Sequence, residues 1–332
     1  MRRLLIAILV VALGWFAYWF IVARAAQSGY EAWFDARRAE GWQAEYSELH
    51  LRGFPNRIDT TIDDIRLADP ETGLAWTAPF FQIFALSYRP NHLIAVWPNQ
   101  QTLSSPFQSI DITSDQMRAS AVFAPDTRLA IRRANFAAEN LQLTSDAAWR
   151  TAAASLQVAL RRTDDDLEAQ STRYLIALQG IGVAPPAALR TPALPETLSA
   201  LDLDVTAGFD RPWDRRALEE RRPQPTLLAI RTAKAEWGPM QIQIAGEVVA
   251  DDVGYMQGEL ILRAKEWQAM VAMARDSGQI DPFVIDGVEQ ALRLFSSLSG
   301  PGEDIDLTLT FKNGRTYAGL LPIGPAPLMV LR

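Results

Sequence analysis

The 332-residue chain has no cysteine and only two histidines. Without cysteine there is no disulfide framework, no thiol nucleophile, no Cys-ligated metal and no lipid-modified N-terminal cysteine. That absence suits an oxidising periplasm. His50 and His92 lie on separate elements, one flanked by Leu49 and Leu51 and the other at an expected turn, so neither is expected to act as a base or ligand. Basic residues occur in scattered pairs such as Arg132-Arg133 and Arg161-Arg162, and the net charge is −7, which argues against nucleic acid as a partner. Also missing are a Gly-x-Ser-x-Gly elbow, a His-Glu-x-x-His pair, a P-loop and an EF-hand pattern.

The partial motifs fall short of chemistry. Gly180-Ile181-Gly182 lacks a third glycine and runs into Pro185-Pro186, and Gly300-Pro301-Gly302 reads as a turn. Asp164-Asp165-Asp166 with Glu168 lacks the alternating spacing that aims oxygens at calcium. Asp63-Asp64 and Asp251-Asp252 read as polar interruptions between strands rather than as a glycosidase carboxylate pair. The sequence therefore carries no catalytic residue, cofactor or metal site, and a non-enzyme is expected.

What is present begins at once. Residues 4–23 carry no charge and are bracketed by Arg2, Arg3 and Arg24. At about 1.5 Å per residue this run reaches roughly 30 Å, the hydrocarbon thickness of a bilayer, and is read as a transmembrane helix. Trp15, Tyr18 and Trp19 near its outer end form an interfacial aromatic set. Ala23-Arg24-Ala25 has the form of a signal cleavage site, but the run is longer than a typical signal core, and retention is favoured. Arg2 and Arg3 place residues 1–3 in the cytoplasm and the bulk of the chain in the periplasm, anchored to the inner membrane. The helical pattern continues through Tyr30, Trp33 and Phe34, giving a stalk over 24–41 that Gly41 ends.

Beyond it the chain reads as strands. Trp42, Ala44 and Tyr46 alternate, then slip phase to Leu49 and Leu51; Ile58, Thr60 and Ile62 alternate, then slip at Asp63-Asp64 to Ile65 and Leu67. Each slip implies a bulge or bend. Residues 74–88 are apolar on both faces, and Pro90-Asn91 is expected to turn the chain. Shorter strand candidates follow at 110–113, 117–123, 127–131, 136–143, 154–161 and 174–181, with the Ala-rich segment 147–160 open to a helical reading. Prolines over 185–198 suggest a joint between a β-rich half, 42–184, and a second, 199–332. There Leu201, Leu203, Val205, Ala207 and Phe209 alternate with polar residues, 211–225 is a charged loop, and 228–237, 240–250 and 255–265 form a meander. Helices are expected at about 266–297 as a pair, and Asn313-Gly314 signals a hairpin. The expected fold is α+β and β-dominated: a leading helix, a large bent antiparallel sheet with an apolar concave face, and a helical pair near the C-terminus.

The segments Ala85-Leu86-Ser87-Tyr88-Arg89-Pro90-Asn91-His92 continuing to Pro98, Glu236-Trp237-Gly238-Pro239-Met240 with Gly246, and Phe311-Lys312-Asn313-Gly314-Arg315 resemble the bacterial family labelled domain of unknown function 2125. The likeness extends over the anchor and the Gly53-Phe54-Pro55-Asn56-Arg57 segment. It implies an uncharacterised inner-membrane protein with its bulk in the periplasm. More distantly the pattern looks like AsmA-type envelope proteins, whose apolar grooves are linked to phospholipid movement. That likeness makes Trp76, Phe80, Phe84, Trp97, Trp237 and Trp267 candidate walls of a lipid groove. Three functions compete: a tethered protein that binds or passes lipid, with the bilayer and a phospholipid as partners; a scaffold for an envelope protein partner; and, less favoured, a lipid or cell-wall hydrolase.

Overall fold

The computed structural model describes residues 1–163, 172–185, 194–278, 285–286, 289–290, 292–293 and 304–331. The Asp164-Asp165-Asp166 cluster and Gly300-Pro301-Gly302 lie outside the described residues, as does most of the helix expected over 282–297. The chain divides into two compact units, Met1–Phe123 with Asn140–Ala148, and Ala124–Glu139 with Trp149–Arg332.

The first unit opens on one unbroken helix, α1 (Arg2–Ala39). It ends where expected: Gly41 takes φ +89° and its amide bonds the Arg38 carbonyl. Arg37 and Arg38 sit in the last turn, where cations complement the helix dipole, and Arg38 Nε donates to the Ala44 carbonyl at 2.7 Å. The strands that follow are β1 (Gln43–Glu45), β2 (Glu48–Arg52), β3 (Arg57–Ala68), β4 (Ala75–Leu86), β5 (Arg89–Trp97), β6 (Gln100–Ser104), β7 (Ser109–Thr113) and β8 (Gln116–Phe123). Every pairing is antiparallel: β3 takes β1 and β2 on one side and β4 on the other, β4 continues to β5 and β6, β5 meets β8, and β6 meets β7. The last residues of β9 (Ile131–Ser145) complete the unit by pairing with β7.

Both phase slips are realised, and they face each other. In β3 Ile58, Thr60 and Ile62 are buried, Asp64 swings to φ +50°, and Ile65 is buried in turn. Opposite it, Tyr46 and Ser47 separate β1 from β2, and the Ser47 hydroxyl donates to Asp64 Oδ2 at 2.9 Å. The paired interruptions keep Ala44, Ile62, Ile65 and Ala78 on one buried face, which Phe34 of α1 covers. Tyr30 is packed there as well; burial pushes its phenol above the ordinary range, against the opposing hydrogen bond with Thr60. The segment read as a stalk is thus the core helix of this unit.

One turn lies elsewhere than expected. The chain reverses at Ser87-Tyr88, and Leu86 pairs with Arg89. Pro90 falls in the register shift that follows, where a strand tolerates a residue without an N–H, and His92 sits in β5 opposite Val122.

The second unit is a meander of long strands: β10 (Arg150–Arg162), β11 (Thr172–Ile181), β12 (Ala200–Phe209), β13 (Pro225–Trp237), β14 (Met240–Ala250), β15 (Met256–Lys265), β16 (Asp304–Lys312), β17 (Arg315–Ala318) and β18 (Leu321–Pro325), each paired antiparallel with the next. The Ala-rich segment is strand β10, because its neighbours supply a ladder that overrides alanine's helix preference. The 127–131 candidate is mostly irregular, with Leu129 at φ +54°. The Pro-rich 185–198 segment connects the paired strands β11 and β12. The charged 211–225 loop contains a short helix, α2 (Arg215–Glu219), capped by the Asp214 carboxylate on the Arg216 amide. Asn313 and Gly314 both take positive φ at the β16–β17 hairpin, as a two-residue turn of that type requires.

Register aligns Leu178, Leu203, Ala233, Ile244, Leu262 and Leu307 in one row across six strands. Part of this apolar face is closed. Helix α3 (Trp267–Ser277) packs Trp267, Met270 and Val271 against Ala264, Ile305 and Leu307, and Ala326 and Met329 of the tail cover Val248 and Phe311. At the other end Trp213 closes over Tyr174, Ala207 and Phe209, and the Tyr174 hydroxyl accepts from the Trp213 amide at 2.9 Å.

Candidate functional site

Within the first unit, chemistry and apolar surface gather at the end of the sheet formed by two turns, 53–56 between β2 and β3 and Ser87-Tyr88 between β4 and β5. The aromatic set on α1 meets this end directly. Trp15 Nε1 donates to the Pro55 carbonyl at 3.0 Å, Tyr18 Oη to the Ser87 carbonyl at 2.7 Å, and Trp19 Nε1 to the Arg57 carbonyl at 2.8 Å. The Phe54 ring stands edge-on to Phe16 at 5.5 Å and to Trp19 at 5.4 Å. Spacings of three and four residues put Trp15, Tyr18 and Trp19 on one helix face, and that face is what the sheet receives.

Beside these turns lies a cleft of about 350 Å³ walled by Phe84, Ala85, Leu86 and Ile94, with Arg57 and His92 among its lining. The Phe84 and Ile94 side chains share a face because the two residues pair across β4 and β5. The Arg57 guanidinium lies 5.6 Å over the Phe84 ring and pairs with Asp59, which raises its already high pKa. An apolar wall with the Arg57 guanidinium and the His92 imidazole in its lining can take an amphiphile: a hydrocarbon chain along Phe84 and Ile94, an anionic head near Arg57 with His92 as a hydrogen-bonding neighbour.

The other expected groove residues are placed differently. Trp76 donates to Gln101 Oε1 at 2.7 Å and packs edge-on to Phe81, which in turn meets Trp97 at 5.2 Å. Phe80 is half-buried across β4 from Phe81. Trp237 is buried and bonds the Pro195 carbonyl at 2.6 Å, and Trp267 is 2% exposed in the core under α3. Of the six, Phe84 alone lines the cleft at the two turns. Trp76, Phe80, Phe84 and Trp97 belong to the first unit, and Trp237 and Trp267 to the second.

A second opening, about 600 Å³, lies in the other unit against Phe136, Val158, Leu178 and Leu203, with Asp202, Asp204 and Lys234 in its lining. It is mixed in polarity.

One cluster was missed by sequence reasoning. His50 Nδ1 lies 3.6 Å from Asp63 Oδ2 and 3.9 Å from Glu48 Oε1 on a single face of β2 and β3. The signal was available: Glu48 and His50 are two residues apart on a strand, and Glu48 pairs with Asp63. Glu48 is exposed and His50 and Asp63 are partly so, while His50 Nδ1 itself is buried and makes no hydrogen bond. Asp63 and Asp64 are split by the bulge, with Asp64 bonded to Ser47 instead, so they do not form a carboxylate pair. Asp251 is likewise structural: burial raises its pKa but is outweighed by bonds from the Tyr255 and Val253 amides and Gln257, which lower it.

No curated protein and no solved structure matches the chain. The model of a family described as an uncharacterized protein conserved in bacteria, domain of unknown function DUF2125, matches residues 19–327, from Trp19 of α1 into the tail, so that most of the apolar run, expected to share in the likeness, lies before the match; the chain belongs to that family.

Proposed function

We propose that this is a non-catalytic, membrane-tethered envelope protein that binds a phospholipid at the end of its first sheet. The observation that carries the reading is that the Phe84–Ile94 cleft, on the face of the sheet turned away from Phe34, opens at the same end as the two turns that meet the aromatic set of α1, a helix long and apolar enough to cross a membrane. The Phe84 and Ile94 walls of that cleft would take acyl carbons, and Arg57 and His92 would meet the phosphate. Retention of α1 fits the packing, since cleavage after Ala25 would remove Trp15, Tyr18 and Trp19 and with them the donors to the Ser87 and Arg57 carbonyls and one of the two to Pro55. Placement of the sheet in the periplasm follows from Arg2 and Arg3 staying in the cytoplasm.

The test compares the full chain with Ile94→Asp, a change at an exposed position that should leave folding intact. Both are extracted from membranes in the same detergent, and bound lipid is counted by native mass spectrometry. The reading expects a discrete phospholipid adduct on the wild-type chain that is lost in the variant. Equal lipid on both, or none on either, would overturn it.

A further inference from the structure

If the uncharged run spans a bilayer, the 53–56 turn cannot stay in water. The part of α1 free of the sheet, residues 4–14, reaches only about 16 Å, half of a roughly 30 Å hydrocarbon core. Residues 15–23 must then complete the span, and these are the residues on which the turn is packed. Along the helix axis Trp19 and Trp15 lie roughly 7 and 14 Å inside Arg24.

The turn is built for that depth. Backbone inside a membrane is tolerated only where its polar groups are satisfied. Here the Gly53 carbonyl accepts from the Arg57 amide, Asn56 from the Ser87 amide, Pro55 from Trp15 and the Ser87 hydroxyl, Arg57 from Trp19, and Ser87 from Tyr18. Three of those donors come from the helix rather than from water. Of the side chains exposed at this end, Phe54 and Tyr88 are the large aromatics, each about half exposed, while Asn56, Arg57 and Arg89 are exposed as well and would have to reach the headgroup level. Between the turn and the helix lies a cleft of about 620 Å³, walled by Ala7, Ile8, Val11 and Ala12 against Phe54 and Pro55, with no charged residue in its lining.

We infer that the 53–56 turn, with Tyr88 beside it, is sunk into the leaflet on the sheet's side of the membrane, and that an acyl chain of a bilayer phospholipid fills the cleft between Phe54 and the helix. This second membrane contact holds the sheet at a fixed height and tilt on the bilayer. It rests on α1 being retained as an anchor and not on a lipid ligand at the Phe84 cleft.

The absence of cysteine makes the test clean. Single cysteines replace Phe54, Tyr88, Leu9 or Phe107, each is labelled with a nitroxide, and the full chain is reconstituted in phosphatidylethanolamine–phosphatidylglycerol vesicles. Power-saturation EPR then compares access of oxygen, which favours hydrocarbon, with access of a water-soluble nickel chelate. Phe107 is the control, a still more exposed phenylalanine at the opposite end of the same unit's sheet, beside Ser104 and Ala75. The inference expects positions 54, 88 and 9 to favour oxygen several-fold over position 107. Position 9 in hydrocarbon with 54 and 88 as nickel-accessible as 107 overturns it alone. Position 9 in water overturns the anchor and the inference with it.

Discussion

Replacing Phe34 by alanine tests whether the segment after the apolar run is a free stalk or the core of the first unit. Phe34 is 1% exposed, enclosed by Ala44, Ile62, Ile65 and Ala78, with its ring 4.7 Å from Tyr46 and 5.1 Å from Trp33, and with the Arg38 guanidinium 5.9 Å above it. Truncating a phenylalanine in such a site removes its transfer free energy and leaves a cavity, at a cost of about 3–5 kcal/mol. For a domain of this size that lowers the midpoint of thermal unfolding by on the order of 10 °C. The adjacent Trp33→Ala is the control, because one helical step turns Trp33 outward to 44% exposure, and its removal should cost about 1 kcal/mol or less. Both full-length variants are measured in one detergent by thermal scanning of tryptophan fluorescence, with limited proteolysis at 24–41 as a second readout. If Phe34→Ala is as mild as Trp33→Ala, and the segment is cut as readily in the wild type as in the variants, helix and sheet are not packed and the description of this unit is wrong.

Other consequences concern the turns and ladders. Trp19→Phe keeps the ring contacts but strips the donor from the Arg57 carbonyl, and should destabilise the first unit by about 1–3 kcal/mol, read from denaturant midpoints. Gly246→Ala and Gly258→Ala each place a Cβ 2.3 Å from a carbonyl oxygen of the facing strand, at φ +136° and +128°, so each should cost at least about 1–3 kcal/mol and show as a lowered unfolding midpoint. Asp251 has a folded pKa below its unfolded value, so its support of the β14–β15 turn is present above the unfolded pKa, about 3.9, and is lost as pH falls through the folded value. Amide exchange at Val253 and Tyr255 should therefore speed up at acid pH once corrected for intrinsic rates, and Asp251→Asn should flatten that dependence.

The strands were legible because their pattern is local. Period-two alternation in Leu201 to Phe209, the Asn313-Gly314 turn and the phase slips at Tyr46–Leu49 and Asp63-Asp64 each mark their own geometry in sequence. Long-range partners were not so marked. Nothing in the spacing of Trp15, Tyr18 and Trp19 says that their polar atoms meet Pro55, Ser87 and Arg57, because an interfacial belt and a docking face use the same residues at the same steps. The Pro90-Asn91 pair reads as the turn because proline favours turns; the neighbouring Ser87-Tyr88 forms it instead, since the register shift between Ala85 and Leu86, which leaves Pro90 unpaired in β5, absorbs the missing N–H. Large aromatics in sequence suggest a groove, but tryptophans fill cores as readily as they line clefts, and Trp237 and Trp267 do the former. The His50 cluster was visible in principle and needed only the pairing of β2 with β3.

Everything said of site and membrane depends on α1 staying on the chain with its aromatic face against the two turns. The most direct measurement is the intact mass of the protein recovered from alkali-washed membranes. A chain that begins at residue 1 and stays in the membrane pellet is the predicted result; one that begins at Ala26 and washes free would contradict it.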